Sequence, residues 1–64
     1  MNEIDQITQT MYVLMVQDRF TEDELRKEVC REKGYIVHQD LYQKAMEDLS
    51  TIIGRDDEGK LYVL

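Results

Sequence analysis

The stretch Thr21-Glu22-Asp23-Glu24 constrains this chain more than any other. The Thr21 hydroxyl is spaced to accept from the Glu24 amide, while the Glu24 carboxylate reaches back to the amide of Thr21, the reciprocal arrangement of a capping box. Phe20 and Leu25 stand at the two flanking positions of a hydrophobic staple. Gly34 supplies the left-handed residue that ends such a helix, with Tyr35 placed to fold back over Cys30. The spacing therefore predicts a helix over Glu22–Lys33, closed at both ends. Between those ends only Leu25, Val29 and Cys30 are apolar, so it buries a narrow edge and faces solvent elsewhere. With no proline and three glycines (Gly34, Gly54 and Gly59), few other breaks are available.

A helix is expected before this one, over residues 3–18. Ile4, Ile7, Met11, Leu14 and Met15 recur on one stripe at 100° per residue. Asn2 is its expected N-cap, with Glu3 and Asp5 in the first turn, where the helix dipole favours acid. Tyr12, Val13 and Val16 fall on the opposite side, with Met1 near them. A third helix is expected over residues 39–50, starting near His38 or Asp40. Leu41, Ala45, Leu49 and Ile52 line one edge of its stripe and Tyr42, Met46 and Ile53 the other, a broad face that marks it as the central helix. Residues 35–37 form a short β-prone run suited to a third strand. The ending reads as strand, polar turn, strand, with Gly59 in the left-handed position of a hairpin loop.

At 64 residues the chain is one domain, and its longest apolar run, from Met11 to Val16, is far short of the roughly 20 residues of a membrane span. The acidic start, Met1-Asn2-Glu3-Ile4-Asp5, lacks the basic end and apolar stretch of an export signal. One cysteine builds neither an internal disulfide nor, alone, a zinc site. These features point to an intracellular, cytoplasmic protein. Eight Lys and Arg stand against 14 Asp and Glu, a formal charge of −6. That surplus opposes anionic membranes and nucleic acid phosphates, and its natural complement is a basic or apolar protein surface.

The order of elements, an α+β chain of three helices and a C-terminal β-hairpin, resembles the winged-helix class of helix-turn-helix domains. The resemblance rests on the capped helix Glu22–Lys33, the Gly34 turn, the broad-faced helix 39–50 and a wing at 54–60. It covers nearly the whole chain and is architectural. It implies a DNA-binding transcriptional regulator, with Gln39, Gln43, Lys44, Arg55 and Lys60 contacting bases and phosphates. Charge argues the other way. The outward positions of the third helix are Gln39, Asp40, Gln43, Lys44, Glu47 and Asp48, a net −2, and the wing tip from Arg55 to Lys60 carries −1. Duplex binding draws on several cationic phosphate contacts, and shape does not replace them. Arg26, Lys27, Arg31 and Lys33, with Arg19 before them, make a basic side on the second helix; interleaved acids at pairing distances make it an ordinary solvated face.

No catalytic, cofactor or metal constellation emerges. His38 has no second histidine to join it, and one His, one Cys and scattered acids are not a ligand set. Cys30 lies at the C-terminal pole of its helix, the wrong end to favour an anion, and reads as a packing residue. Asp56-Asp57-Glu58 lacks the alternating ligands of a calcium loop and reads as a polar turn. The expectation is a small, acidic, non-enzymatic protein-binding domain, a regulator or adaptor of the kind bacteria and phages carry. Tyr12, Val16, Asp40, Gln43, Glu47 and Asp48 are its candidate contact residues. Tyr12 and Val16 would serve a partner or a homodimer through the first helix, while Val13 is expected to be covered by the hairpin and the third helix. An inhibitor that imitates phosphates with Asp40, Glu47, Asp48, Asp56, Asp57 and Glu58 fits the same charge.

Overall fold

The computed structural model describes residues 2–64; Met1, which the sequence places near the apolar side of the first helix, lies outside the described residues. Five elements follow in order: α1 (Glu3–Gln17), α2 (Glu22–Lys33), α3 (Gln39–Leu49), β1 (Ile53–Arg55) and β2 (Leu61–Val63). This is an α+β arrangement of three helices followed by an antiparallel hairpin, compatible with a winged-helix-like layout.

Local chemistry sets the helix ends. The Asn2 side chain accepts from the amide of Asp5 at 2.8 Å, with Glu3 and Asp5 in the first turn of α1. Both halves of the capping box form at α2: the Glu24 amide donates to Thr21 Oγ1 (3.3 Å), and the Thr21 amide donates to Glu24 Oε1 (3.0 Å). These bonds hold the Glu24 carboxyl below its usual range. Gly34, at φ 78°, closes α2 with its amide on the Cys30 carbonyl. His38 stands at the N-cap of the third helix without a side-chain cap, and the helix ends at Leu49, one residue short of the expected span.

One core joins the elements. It contains Ile7, Met11, Leu14 and Met15 of α1, Leu25 and Val29 of α2, Val37 from the segment between α2 and α3, Tyr42, Ala45 and Leu49 of α3, and Leu61 of β2. The expectation that helix 39–50 is central is corrected. Helix α1 packs against α3, α2 and β2, whereas α3 packs chiefly on α1. The reason is length and reach: α1 spans about four turns and meets α2, α3 and β2. Ile52, assigned to the α3 stripe, lies past the helix end and is exposed, while Ile53 is half-buried against the core.

The hairpin pairs Ile53 with Val63, Gly54 with Tyr62 and Arg55 with Leu61. Its loop closes through the Asp56 amide on the Lys60 carbonyl and the Gly59 amide on the Asp56 carbonyl, both 3.0 Å, with Gly59 at φ 78°. No third strand forms at 35–37. Val37 is fully buried and its amide donates to Cys30 Sγ at 3.3 Å, while Ile36 is 85% exposed, so the segment is tied to α2. The neighbour of β2 is instead Phe20, which forms an antiparallel bridge with Leu61 and accepts from its amide at 2.6 Å.

Candidate functional site

The capped start of α2, the Gly34 turn and the burial of Tyr42, Ala45 and Leu49 together fix which side of α3 faces out. That side carries Gln39, Asp40, Gln43, Lys44, Glu47 and Asp48, all exposed. Among the described residues, none of its three carboxylates joins an ion pair, and neither does Lys44. The face is thus a patch of solvated acid, with its single amine among three carboxylates.

The cations that would flank such a face are engaged elsewhere. Arg55 Nη2 donates to Glu22 Oε2 at 3.2 Å, and Lys60 Nζ lies 3.5 Å from Glu58 Oε2. Arg19 Nη1 donates to Asp56 Oδ2 at 3.3 Å while its guanidinium lies over the Tyr62 ring, 4.7 Å from the centroid. Such exposed pairs add little stability. Their effect here is on surface charge, because each removes a positive centre from the hairpin and its approach. Arg26 and Lys27 form no ion pair among the described residues, but they sit with Asp23, Cys30 and Ile36 on α2 and the turn after it.

Within the loop, Asp56 is the structural residue. Its Oδ1 accepts from the amides of Glu58 (3.0 Å) and Lys60 (2.9 Å). These bonds, the one from Lys60 foremost and the Arg19 contact after them, keep its carboxyl below the usual range. Both of its oxygens are thus engaged within the protein, while Asp57 and Glu58 are exposed.

The second surface lies on α1. Tyr12 is 42% exposed and Val16 61% exposed. Val13 departs from expectation at 46% exposed. The hairpin lays Ile53, Leu61 and Val63 on the core and stops short of it. Val13 and Leu14 line a groove with Gln6, Gln9, Thr10 and Gln17 that reaches Glu32 and Lys33 at the end of α2. Val16 lines a separate cleft with Met15, Arg19, Tyr62 and Val63. Of the six candidate contact residues, Tyr12 and Val16 lie on α1, and Asp40, Gln43, Glu47 and Asp48 on α3. The helical wheel alone carried the signal for Val13, which lies opposite the Ile7–Met11 stripe.

Cys30 is half-buried with the Val37 amide on its sulfur, and His38 is exposed at the start of α3. Among the described residues no group of three His, Cys, Asp or Glu is placed to hold a metal ion, and no helix is long and apolar enough to cross a membrane. Comparison of the chain with protein-family models, with curated proteins and with solved structures finds no match.

Proposed function

We propose that this chain is a non-enzymatic, intracellular protein-binding domain of winged-helix-like form, a regulator or adaptor, whose α3 face docks on a basic protein surface. One observation carries the reading. Among the described residues the acids of the α3 face form no ion pair and are exposed, whereas Arg19, Arg55 and Lys60 are each bound to a carboxylate. A polyanion approaching α3 would meet three exposed carboxylates against the single amine of Lys44, with Arg19, Arg55 and Lys60 already on carboxylates, and phosphate attraction is a large share of duplex affinity. A cationic protein surface meets complementary charge instead.

The second reading is a DNA-binding transcriptional regulator using α3 and the wing at 54–60. The layout and the exposure of Gln39 and Gln43 favour it; the ion pairs of Arg55 and Lys60 weigh against it. Titration into labelled duplex at low and moderate salt separates the two. No binding is expected, and tight binding that falls steeply with salt would defeat the protein-partner reading. The acidic face is tested directly by retention on immobilised polylysine. Reversal of Asp40, Glu47 and Asp48 to Lys is expected to cut retention more than the matched reversal of Glu3, Glu32 and Asp57. Equal losses would show net charge alone at work.

A further inference from the structure

We infer that the cleft between the end of α1 and the hairpin receives an arginine side chain of the protein partner. The inference rests on the protein-binding reading proposed above and adds to it a second contact, on residues other than those of the α3 face. Its first support is an uncompensated helix pole. The carboxyl end of a helix carries partial negative charge and favours cations in its last turn. Helix α2 follows that rule with Arg31 and Lys33. The last turn of α1 holds no basic residue, and its C-cap is Asp18, a further negative charge at the negative end. Asp18 Oδ1 accepts from the Arg19 amide at 2.8 Å, and among the described residues the carboxylate joins no ion pair. The carbonyls of Met15, Val16 and Gln17 accept no backbone hydrogen bond, as befits the last turn of a helix with no following partner. A carboxylate and three carbonyls thus gather at one pole with no cation of their own.

The cleft supplies the rest of the site. It encloses about 780 Å³ beside that pole, room for a side chain and the backbone that carries it. Met15 and Val16 wall it on the helix side, Tyr62 and Val63 on the hairpin side, apolar surface suited to the methylenes of a long cationic side chain. The two cations that also line it are engaged: Arg19 lies on Asp56 and over the Tyr62 ring, and Lys60 on Glu58. Those pairs leave the Asp18 charge unmatched, and the helix end adds to it. Sign and shape together select the occupant. A phosphate or carboxylate would meet its own sign. An apolar side chain would strip water from the acceptors and return no donor. Lysine brings three donors on a strongly hydrated ammonium. A guanidinium is planar, more weakly hydrated and carries five donors, enough for the Asp18 carboxylate and the α1 carbonyls together.

NMR titration of the full chain with N-acetyl-arginine N-methylamide, followed at the backbone amides, tests this. Saturable shifts are expected at residues 15–19 and 60–63, with a dissociation constant of about 1–10 mM for one weakly held side chain. Capped citrulline, of the same shape without the charge, is expected to shift none of them, and capped lysine to bind less tightly. Asp18→Asn keeps an acceptor for the Arg19 amide. It is expected to retain its thermal melt and to weaken arginine binding about fivefold, the upper end for an exposed ion pair. Gln17→Lys, at an exposed position, puts the chain's own cation at the same pole. It is expected to weaken binding as well, and it serves alone should the first variant lose its melt. Shifts that do not saturate, shifts centred on α3, citrulline or lysine binding as tightly as arginine, or unaltered affinity in either folded variant would overturn the inference. Any of these together with selective loss of polylysine retention in the α3 variant overturns the cleft alone and leaves the protein-binding reading standing. Arginine seated in the cleft with equal polylysine losses upholds the cleft and removes the α3 face.

Discussion

The phenol of Tyr42 on α3 donates a 2.9 Å hydrogen bond to the backbone carbonyl of Glu22 in the first turn of α2. It joins the outer helix to α3 through a side chain that is otherwise core, 4% exposed. Tyr42→Phe keeps the ring and removes the bond, and is expected to lower stability by about 0.5–1.5 kcal/mol in urea unfolding. An unchanged midpoint would show that the bond contributes nothing net.

The same residue sets an alkaline limit. Burial, and then the nearby Glu22 carboxylate, push the Tyr42 hydroxyl well above its ordinary range. The neutral phenol is favoured in the folded state, so its contribution is complete below the ordinary tyrosine value near 10 and is lost as pH rises above it. Thermal melts at rising alkaline pH are expected to fall more steeply for the native chain than for Tyr42→Phe. Parallel slopes would remove Tyr42 as the cause.

Carboxylates set the acid limit. Asp56 and Glu24 are both held below their usual range, chiefly by backbone amides of the hairpin loop and of Thr21. A lowered value in the folded state means that the stability is present above the unfolded value and is lost as pH falls below it. Melting temperature is expected to drop as pH passes below the ordinary carboxylate range. Asp56→Ala and Glu24→Ala should each flatten that drop, and a drop as steep in the double variant would place its origin elsewhere.

Leu49 is 4% exposed and lies where α3 meets α1. Leu49→Asp places an uncompensated carboxylate there, a cost of several kcal/mol that a domain of this size does not hold in reserve. Loss of a cooperative melt by circular dichroism is expected. A native-like melt would mean that α3 presents a different face to the core.

A left-handed backbone at Gly59 is the hinge of the hairpin loop, with nothing within 4 Å of the position a Cβ would take. Gly59→Ala therefore carries a conformational cost without a clash, about 1 kcal/mol. Chemical unfolding reads it directly, and a loss of several kcal/mol would point to a contact the geometry does not contain.

Features written in adjacent residues were legible before any coordinates. The reciprocal Thr21 and Glu24 bonds, the Asn2 cap and the left-handed Gly34 and Gly59 each depend on neighbours within five positions. The α3 face was legible for the same reason, since helical period alone sorts Gln39, Asp40, Gln43, Lys44, Glu47 and Asp48 from Tyr42, Ala45 and Leu49. Features that depend on distant pairing were not. The run at 35–37 has strand propensity, yet Cys30 claims the Val37 amide and Phe20, noticed only as a staple residue, takes the place beside Leu61. The ion pairs of Arg19 with Asp56 and Arg55 with Glu22 span more than thirty residues, and no local pattern announces them. Val13 and Val16 have similar apolar chemistry, and whether each is covered depends on how far the hairpin reaches.

The bridge between Phe20 and Leu61 joins two positions 41 residues apart, and the Leu61 side chain is fully buried. Its amide proton, held on the Phe20 carbonyl, has no local route to water: fraying of the loop between β1 and β2 leaves it in place, and releasing it means parting the hairpin from the segment between α1 and α2. Deuterium uptake at that one amide should therefore track the global unfolding free energy, making Leu61 an internal gauge of whether the whole molecule is intact.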